Sequence, residues 1–300
     1  MYDGMINVRK EKGYTSHDVV ARLRGILHQK KIGHTGTLDP DATGVLPVCL
    51  GKGTKLCDMI TDREKTYKAI MLLGRTTDTQ DVSGRILTES EINVTEEEIR
   101  RTAESFLGDY MQVPPMYSAI KIDGKKLYEL ARAGKEIERR PRHVIIHSLE
   151  IQSIQLPFVT MEICCSKGTY IRTLCHDIGE KLGCGACMSE LVRTKVGRFA
   201  LNEAWTLDEI EAMAAQGEDA VRQHVISIEE MLAEDMAVKA ADVTADKMLL
   251  NGNRLSVDQV ECGKLEDEQQ VRLYSSTGTF IAVYQYEEKT RSLKNIKMFV

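Results

Sequence analysis

Asp39 lies in a segment whose composition suits a binding or catalytic loop. Residues 33–55, GHTGTLDPDATGVLPVCLGKGTK, contain five glycines, four threonines and two prolines. Glycine allows positive φ and close approach of backbones, and Pro40 biases Asp39 towards an extended or turn conformation. We predict an irregular loop that projects the Asp39 carboxylate. These features fit a structural turn and a functional site equally well, although functional groups often lie on such loops.

Three other kinds of chemistry find little support. Cys184 and Cys187 have the spacing of half a zinc site, but no second ligand pair accompanies them, so we predict buried cysteines and no metal. The GKGTK stretch lacks both the first glycine and the Ser/Thr of an ATP-binding phosphate loop. No nucleophile elbow or Cys/His protease signature is present.

The elements predicted around the loop indicate an α+β protein. A helix is predicted over residues 16–32 with Ser16 as its N-cap, followed by a buried strand at 67–73. Thr95 with Glu98, and Thr206 with Glu209, have capping-box spacing at the start of two further helices. Strands without regular βαβ alternation predict a mixed, largely antiparallel sheet flanked by helices.

The charge is distributed unevenly along the 300 residues, whose net charge is −5. Residues 203–238 carry ten acidic side chains and one basic one, whereas residues 121–142 carry eight basic and four acidic ones. The basic run fits either a solvated surface or a site for a phosphate backbone. The acidic stretch predicts a boundary between a domain over 1–230 and a smaller β-barrel domain over 236–300.

The sequence gives no sign of membrane insertion or secretion. It has no run of eighteen apolar residues, and its first ten residues, MYDGMINVRK, lack the apolar centre of a signal peptide. We therefore expect a cytoplasmic protein with reduced cysteines and no membrane partner.

Five separated segments together resemble the TruB-type tRNA pseudouridine synthases. The turn-rich segment 33–55 resembles the signature motif of that family. The other four are REKTYKA, LGRTTDTQDVSG, QVPPMYSAIKIDGKKLYELARAG and CSKGTYIRTLCHDIGEKLGCGACMSELVRTKVGRF, in family order between residues 63 and 199. The tail, through NGNRL and GTFIAVY, is similar to the RNA-binding PUA domain that follows this catalytic domain in bacteria.

The resemblance implies a fold, an activity and a set of residues. The fold is that of pseudouridine synthases with a C-terminal PUA-like barrel. The activity is the isomerisation of uridine 55 to pseudouridine in the T arm of tRNA, without a metal or organic cofactor, by a protein we expect to be a monomer. Family correspondence makes Asp39 the catalytic aspartate, Arg172 the arginine that pairs with it, and Tyr67 the tyrosine that stacks on the flipped base and is a candidate base.

The remaining correspondences concern substrate binding. His34 corresponds to the histidine that occupies the space left by the flipped base, and Tyr170 and Leu191 correspond to pocket-lining positions. Lys10 and Lys121 are our candidates for phosphate contacts, although the family usually has proline where this sequence has Glu11. The PUA-like tail could contact the acceptor stem. A non-catalytic RNA-binding or tRNA-folding protein on the same scaffold is the alternative interpretation.

Overall fold

The computed structural model describes residues 1–122 and 124–300, which form helices and strands in an irregular order. The helices are α1 (Ser16–Ile26), α2 (Cys57–Thr61), α3 (Glu96–Glu104), α4 (Leu127–Arg132), α5 (Ile171–Leu182), α6 (Leu207–Gln216), α7 (Glu218–Arg222), α8 (Ile228–Met231) and α9 (Val243–Leu250). The first strands are β1 (Gly4–Lys10), β2 (Ile32–His34), β3 (Thr43–Leu50), β4 (Lys65–Leu73), β5 (Arg75–Thr77), β6 (Ile86–Glu89), β7 (Gly108–Gln112), β8 (Lys121–Ile122) and β9 (Lys125–Lys126). The others are β10 (Arg142–Gln155), β11 (Phe158–Cys165), β12 (Ala186–Val196), β13 (Phe199–Ala200), β14 (Met236–Ala240), β15 (Leu255–Ser256), β16 (Val260–Glu261), β17 (Gln270–Tyr274), β18 (Phe280–Glu287) and β19 (Ser292–Met298).

The larger sheet is the frame of the molecule. Its strands run in the order β1-β3-β12-β4-β11-β10-β7, with β2 attached to β3 and β13 attached to β12. The pairings are antiparallel except for the short contact between β12 and β3. The predicted strand at 67–73 is the core of β4, and the mixed, largely antiparallel sheet is confirmed.

Eight residues of the segment predicted as an irregular loop, 33–55, form a strand instead. Residues 43–50 form β3, and every residue from Gly44 to Leu50 is buried. The prediction gave too much weight to its glycine and proline, because the apolar side chains between them, such as Val45, Leu46 and Val48, are buried completely. The irregular loop is confined to residues 35–42 between β2 and β3.

The helices begin where their capping residues predict, with one exception. Thr95 and Thr206 form capping boxes with Glu98 and Glu209, as predicted. The N-cap of α1 is Thr15 rather than Ser16, and its box partner is Asp18. Helices α1 and α6 share a buried cluster with β1 and β3, and α5 packs in a second cluster with β4 and β11.

A second sheet is formed by the last part of the chain. Its strands run in the order β15-β19-β18-β17-β14-β16 and form a barrel-like layer around its own core, which includes residues of α9. A further cluster contains Met5 and Val45 of the first sheet together with Val283 and Phe299 near the C-terminus. The two sheets are therefore joined by buried apolar contacts. In the described part of the chain, no helix has the length and apolarity needed to cross a membrane.

Candidate active site

The loop that carries Asp39 is fixed immediately before the carboxylate. The backbone N–H of Leu38 donates to Ser16 Oγ at 2.9 Å, and the Leu38 side chain is buried in the same cluster as Tyr67. After Asp39 the chain turns, with the Ala42 N–H donating to the Asp39 carbonyl at 3.1 Å. This packing explains why Ser16 is buried just inside α1 instead of capping it.

Lys10, a candidate for a phosphate contact, holds the other side of this loop. Its Nζ donates to the carbonyls of Pro40 and Glu11, each at 3.0 Å, and its side chain is buried at the end of β1. Burial lowers the pKa of Lys10 to about 8. The phosphate contact at Lys10 stays a prediction, and the structure assigns the ammonium group to the loop rather than to solvent.

The Arg172 guanidinium lies between two carboxylates. Its Nη2 is 3.1 Å from Asp39 Oδ2 and its Nη1 is 3.5 Å from Asp81 Oδ2, while Nη2 also donates to the Tyr117 carbonyl at 2.7 Å. The Arg172 side chain is only 7% exposed, whereas that of Asp39 is 41% exposed. Arg172 lies in the first turn of α5, where the positive end of the helix dipole disfavours a cation. The negative charges of Asp39 and Asp81 offset this unfavourable interaction. The pair presents a positioned carboxylate that solvent or a substrate can reach.

Asp81 is a part of this site that sequence reasoning missed. Its Oδ1 accepts hydrogen bonds from Thr79 Oγ1 at 2.8 Å and from the Ser83 N–H at 3.0 Å, which fixes the carboxylate after β5. The TDTQDVSG sequence contains this signal, since an aspartate two residues before a serine often closes such a turn.

The surroundings of Asp39 favour its neutral form more than water does. Burial raises the pKa of the Asp39 carboxyl, Arg172 opposes that effect, and the negative charge of Asp81 adds to it. Arg172 is thus the main group that favours the ionised form of this half-buried carboxylate.

Tyr67 and Leu191 lie on one face of the sheet, beside the Asp39 loop. In the β4–β12 pairing, Tyr67 is opposite Arg193 and Leu191 is opposite Ala69, so these side chains share a face. Tyr67 and Leu38 belong to one buried cluster, and Leu191 packs against it. Burial raises the pKa of the Tyr67 hydroxyl, and the charge of Arg193 partly opposes this.

Tyr170 directly precedes α5 and is held through its backbone. The Gln112 side chain accepts from the Tyr170 N–H at 2.8 Å and donates to its carbonyl at 3.0 Å. Gln112 is buried, so these two bonds fix the point where α5 begins and Arg172 is directed towards Asp39. The Tyr170 ring is 6.0 Å from the Arg172 guanidinium carbon.

His34 is the last residue of β2 and directly precedes the loop that carries Asp39. Its Nδ1 is buried without a hydrogen-bond partner among the described residues. Burial lowers the pKa of His34, and the nearby Arg193 lowers it further.

Lys121 is exposed on the β8–β9 hairpin, in the basic run 121–142. Asp123 of that run lies outside the described residues.

The cysteines considered for a metal are buried thiols. Burial raises the pKa of both Cys184 and Cys187. Within residues 1–122 and 124–300, no group of three or more His, Cys, Asp or Glu side chains has a metal-binding arrangement.

Comparisons with known proteins agree over nearly the whole chain. Residues 24–171 match the N-terminal domain of the TruB family of pseudouridylate synthases, and residues 172–233 match the C-terminal domain of tRNA pseudouridylate synthase B. The tRNA pseudouridine synthase B of Lachnoclostridium phytofermentans is 46% identical, with 99% of this chain and 100% of the relative covered. That of Alkaliphilus oremlandii is 49% identical, covering 84% of this chain and 83% of the relative.

Two solved structures superpose on this chain over nearly its full length. A chain from the crystal structure of a Cbf5–Nop10–Gar1 complex superposes with a TM-score of 0.75 at 28% identity, over 99% of this chain and 85% of that chain. A chain from an H/ACA ribonucleoprotein bound to a substrate RNA containing 2′-deoxyuridine gives a TM-score of 0.74 at 25% identity, with the same coverage.

Proposed function

Because this chain belongs to the TruB family of pseudouridylate synthases, we propose that it converts uridine 55 in the T arm of tRNA to pseudouridine, with Asp39 as the catalytic residue. The resemblance of its five motifs to that family is confirmed, and the chain is a tRNA pseudouridine synthase. The observation that carries the residue assignment is the ion pair between Asp39 and the buried Arg172, at 3.1 Å.

The reaction needs a carboxylate that stays ionised beside a sugar and a base. The bond between N1 and C1′ breaks, and the base is rejoined to C1′ through C5. The Asp39 carboxylate can attack C1′, attack C6 or take the 2′ proton of the sugar, and the arrangement of residues is compatible with all three. Arg172 keeps the carboxylate charged and oriented for any of these roles.

The target uridine must leave the folded T loop before it reaches Asp39. Base flipping costs a few kcal/mol, which stacking and contacts in the pocket must offset. Tyr67 is the proposed stacking partner and candidate base, and Tyr170 and Leu191 line the pocket. His34 occupies the space left by the base. Its lowered pKa favours a neutral ring, which suits insertion between bases.

The domain organisation forms part of the same proposal. Residues 1–230 are the catalytic domain, and residues 236–300 are a PUA-like RNA-binding domain that contacts the acceptor stem. The barrel-like second sheet, which begins at Met236, supports this division. Lys121 and the basic run around it bind phosphates. We further propose that the protein acts as a cytoplasmic monomer.

An unmodified tRNA transcript tests the activity and its position. The purified protein should convert the uridine at position 55, and a transcript with cytidine at that position should contain no pseudouridine. Pseudouridine at another position would refute the T-arm assignment. Tight binding without conversion would favour the non-catalytic tRNA-binding alternative.

A further inference from the structure

Arg193 is a buried cation at the centre of the larger sheet. Its side chain is among the largest that are fully buried, with the residue 1% exposed on β12. Its Nε donates to the Val45 carbonyl at 2.7 Å, and its Nη2 donates to the Gly36 carbonyl at 3.3 Å. Arg193 therefore ties β12 to β3 and to the beginning of the Asp39 loop.

No carboxylate accompanies this charge. Among the ion pairs of residues 1–122 and 124–300, Arg193 has no acidic group within 4.0 Å. A buried charge without a counter-ion is costly, and a neutral side chain of similar shape would avoid that cost. The positive charge at this position therefore requires an explanation other than packing.

Tyr67 is the neighbour of this charge across the β4–β12 pairing. The two residues are directly opposite one another in the β4–β12 pairing, so their side chains lie side by side on one face of the sheet. A guanidinium has only donors, whereas a phenol oxygen can accept. A positive charge beside the phenol therefore favours negative charge on the Tyr67 oxygen, and Arg193 lowers the pKa of Tyr67 against the effect of burial.

We propose that Arg193 is a positioning residue for proton transfer at Tyr67: its guanidinium orients the phenol and stabilises the negative charge on its oxygen. This inference rests on the proposed function. Tyr67, as a phenolate whose own proton has gone to solvent, takes the proton from C5 of the reattached base. The C5–H electron pair forms the C5–C6 double bond, the N1–C6 π pair moves to N1, and N1 takes a proton from solvent. Tyr67 becomes a neutral phenol.

Other charged and titratable groups near Arg193 and Tyr67 also affect pKa values in this part of the sheet. Asp39 on its loop and Cys165 on β11 both raise the pKa of Tyr67, as burial does, so Arg193 is the group that opposes them. The positive charge of Arg193 also lowers the pKa of three neighbouring basic groups: His34, Lys10 and Lys65.

The coupling is testable without measuring catalysis. 3-Fluorotyrosine at position 67 gives a ¹⁹F signal whose titration can be followed in the wild-type background, in Arg193→Lys and in Arg193→Met. The midpoint should move to higher pH by about one unit or more in the methionine variant, because a nearby cation is lost. It should stay near the wild-type value in the lysine variant. Equal midpoints in the wild-type and methionine backgrounds would overturn the proposal.

A second measurement remains available if Arg193→Met does not fold. This measurement compares two tyrosine analogues at position 67 in a protein that keeps Arg193. Trifluorotyrosine has a more acidic phenol than 3-fluorotyrosine. The pH dependence of single-turnover pseudouridine formation should shift to lower pH as the phenol becomes more acidic. An unchanged pH profile would show that Tyr67 transfers no proton and would remove the role of Arg193. Absence of activity in the wild-type protein would instead refute the proposed function and leave the ¹⁹F result intact.

Discussion

Arg172 Nη2 lies 3.1 Å from Asp39 Oδ2, although 133 residues separate the two positions in the chain. Two independent supports bring them together. Gln112 fixes the residue before α5, and Ser16 fixes the residue before Asp39. The arginine also contacts Asp81, so one buried cation serves two acids. The site therefore combines a rigid guanidinium with a carboxylate that remains open to a substrate.

Replacing Asp81 should change the acid side of the pH profile. Asp81 raises the pKa of Asp39, so Asp81→Asn should lower that pKa. In the proposed mechanism the ionised Asp39 is the active form, so activity is lost as the pH falls through its pKa. The acid limb of the variant should therefore lie at lower pH. Single-turnover rates between pH 4 and 7 measure this limb. Asp78→Asn, on the same loop but without an Arg172 contact, is the control, and a limb that moves to higher pH would contradict the prediction.

Lys10 should contribute to catalysis through the loop rather than through RNA binding. Lys10→Met removes the two bonds from Nζ to the Pro40 and Glu11 carbonyls, so Asp39 becomes less firmly positioned. We expect a loss of about tenfold or more in single-turnover rate, because small displacements of a catalytic group are costly. Binding of a T-arm stem-loop should change little.

The exposed Lys12 offers a matched control for Lys10. Lys12→Met should keep both the rate and the binding of the wild type. A Lys10→Met variant that loses affinity while its bound complex reacts at the normal rate would restore Lys10 as a phosphate contact.

Two glycines of the segment 33–55 should differ in their tolerance of alanine. Both have positive φ, +105° at Gly36 and +110° at Gly44. A Cβ at Gly44 would lie 2.2 Å from the Arg193 carbonyl oxygen, whereas one at Gly36 would be 3.9 Å from the Arg193 Nη1. Gly36→Ala should cost about 1–2 kcal/mol from backbone strain alone. Gly44→Ala should cost roughly 3 kcal/mol or more, and equal losses in urea unfolding would contradict the close approach of β3 and β12.

Lys121 should contribute to the salt dependence of RNA binding. A phosphate contact releases a counter-ion, so Lys121→Ala should reduce the slope of log affinity against log salt by about 0.7–0.9. Lys68 is exposed on β4 but points to the face opposite Tyr67, which makes Lys68→Ala the control. Filter-binding titrations with a T-arm stem-loop at several salt concentrations measure both slopes. An unchanged slope for Lys121→Ala would remove Lys121 from the interface.

Local signals in the sequence predicted several elements correctly. The capping boxes at Thr95 and Thr206 are formed, and the buried strand predicted at 67–73 lies within β4. These features depend on residues close together in the chain. The N-cap of α1 was placed one residue late because Ser16 has a suitable side chain, but that side chain is used by Leu38 across the fold.

The features missed from sequence are those that depend on distant contacts. Lys10 is buried because the Pro40 carbonyl lies above the end of β1, and local composition does not reveal that contact. Arg193 has the appearance of an ordinary polar residue in a strand, since only the pairing with β4 places it beside Tyr67. Asp39 and Arg172 were identified through family resemblance, because their pairing also spans the fold.

The most direct test of the central claim compares wild type with Asp39→Asn on a T-arm stem-loop in single-turnover experiments. Asn keeps the shape of the side chain but removes the charge that pairs with Arg172. The account predicts that pseudouridine formation is abolished while stem-loop binding remains largely intact, and that Asp41→Asn, an exposed neighbour on the same loop, behaves as wild type. If the Asp39→Asn protein still converts the uridine at an appreciable rate, Asp39 is not the catalytic residue.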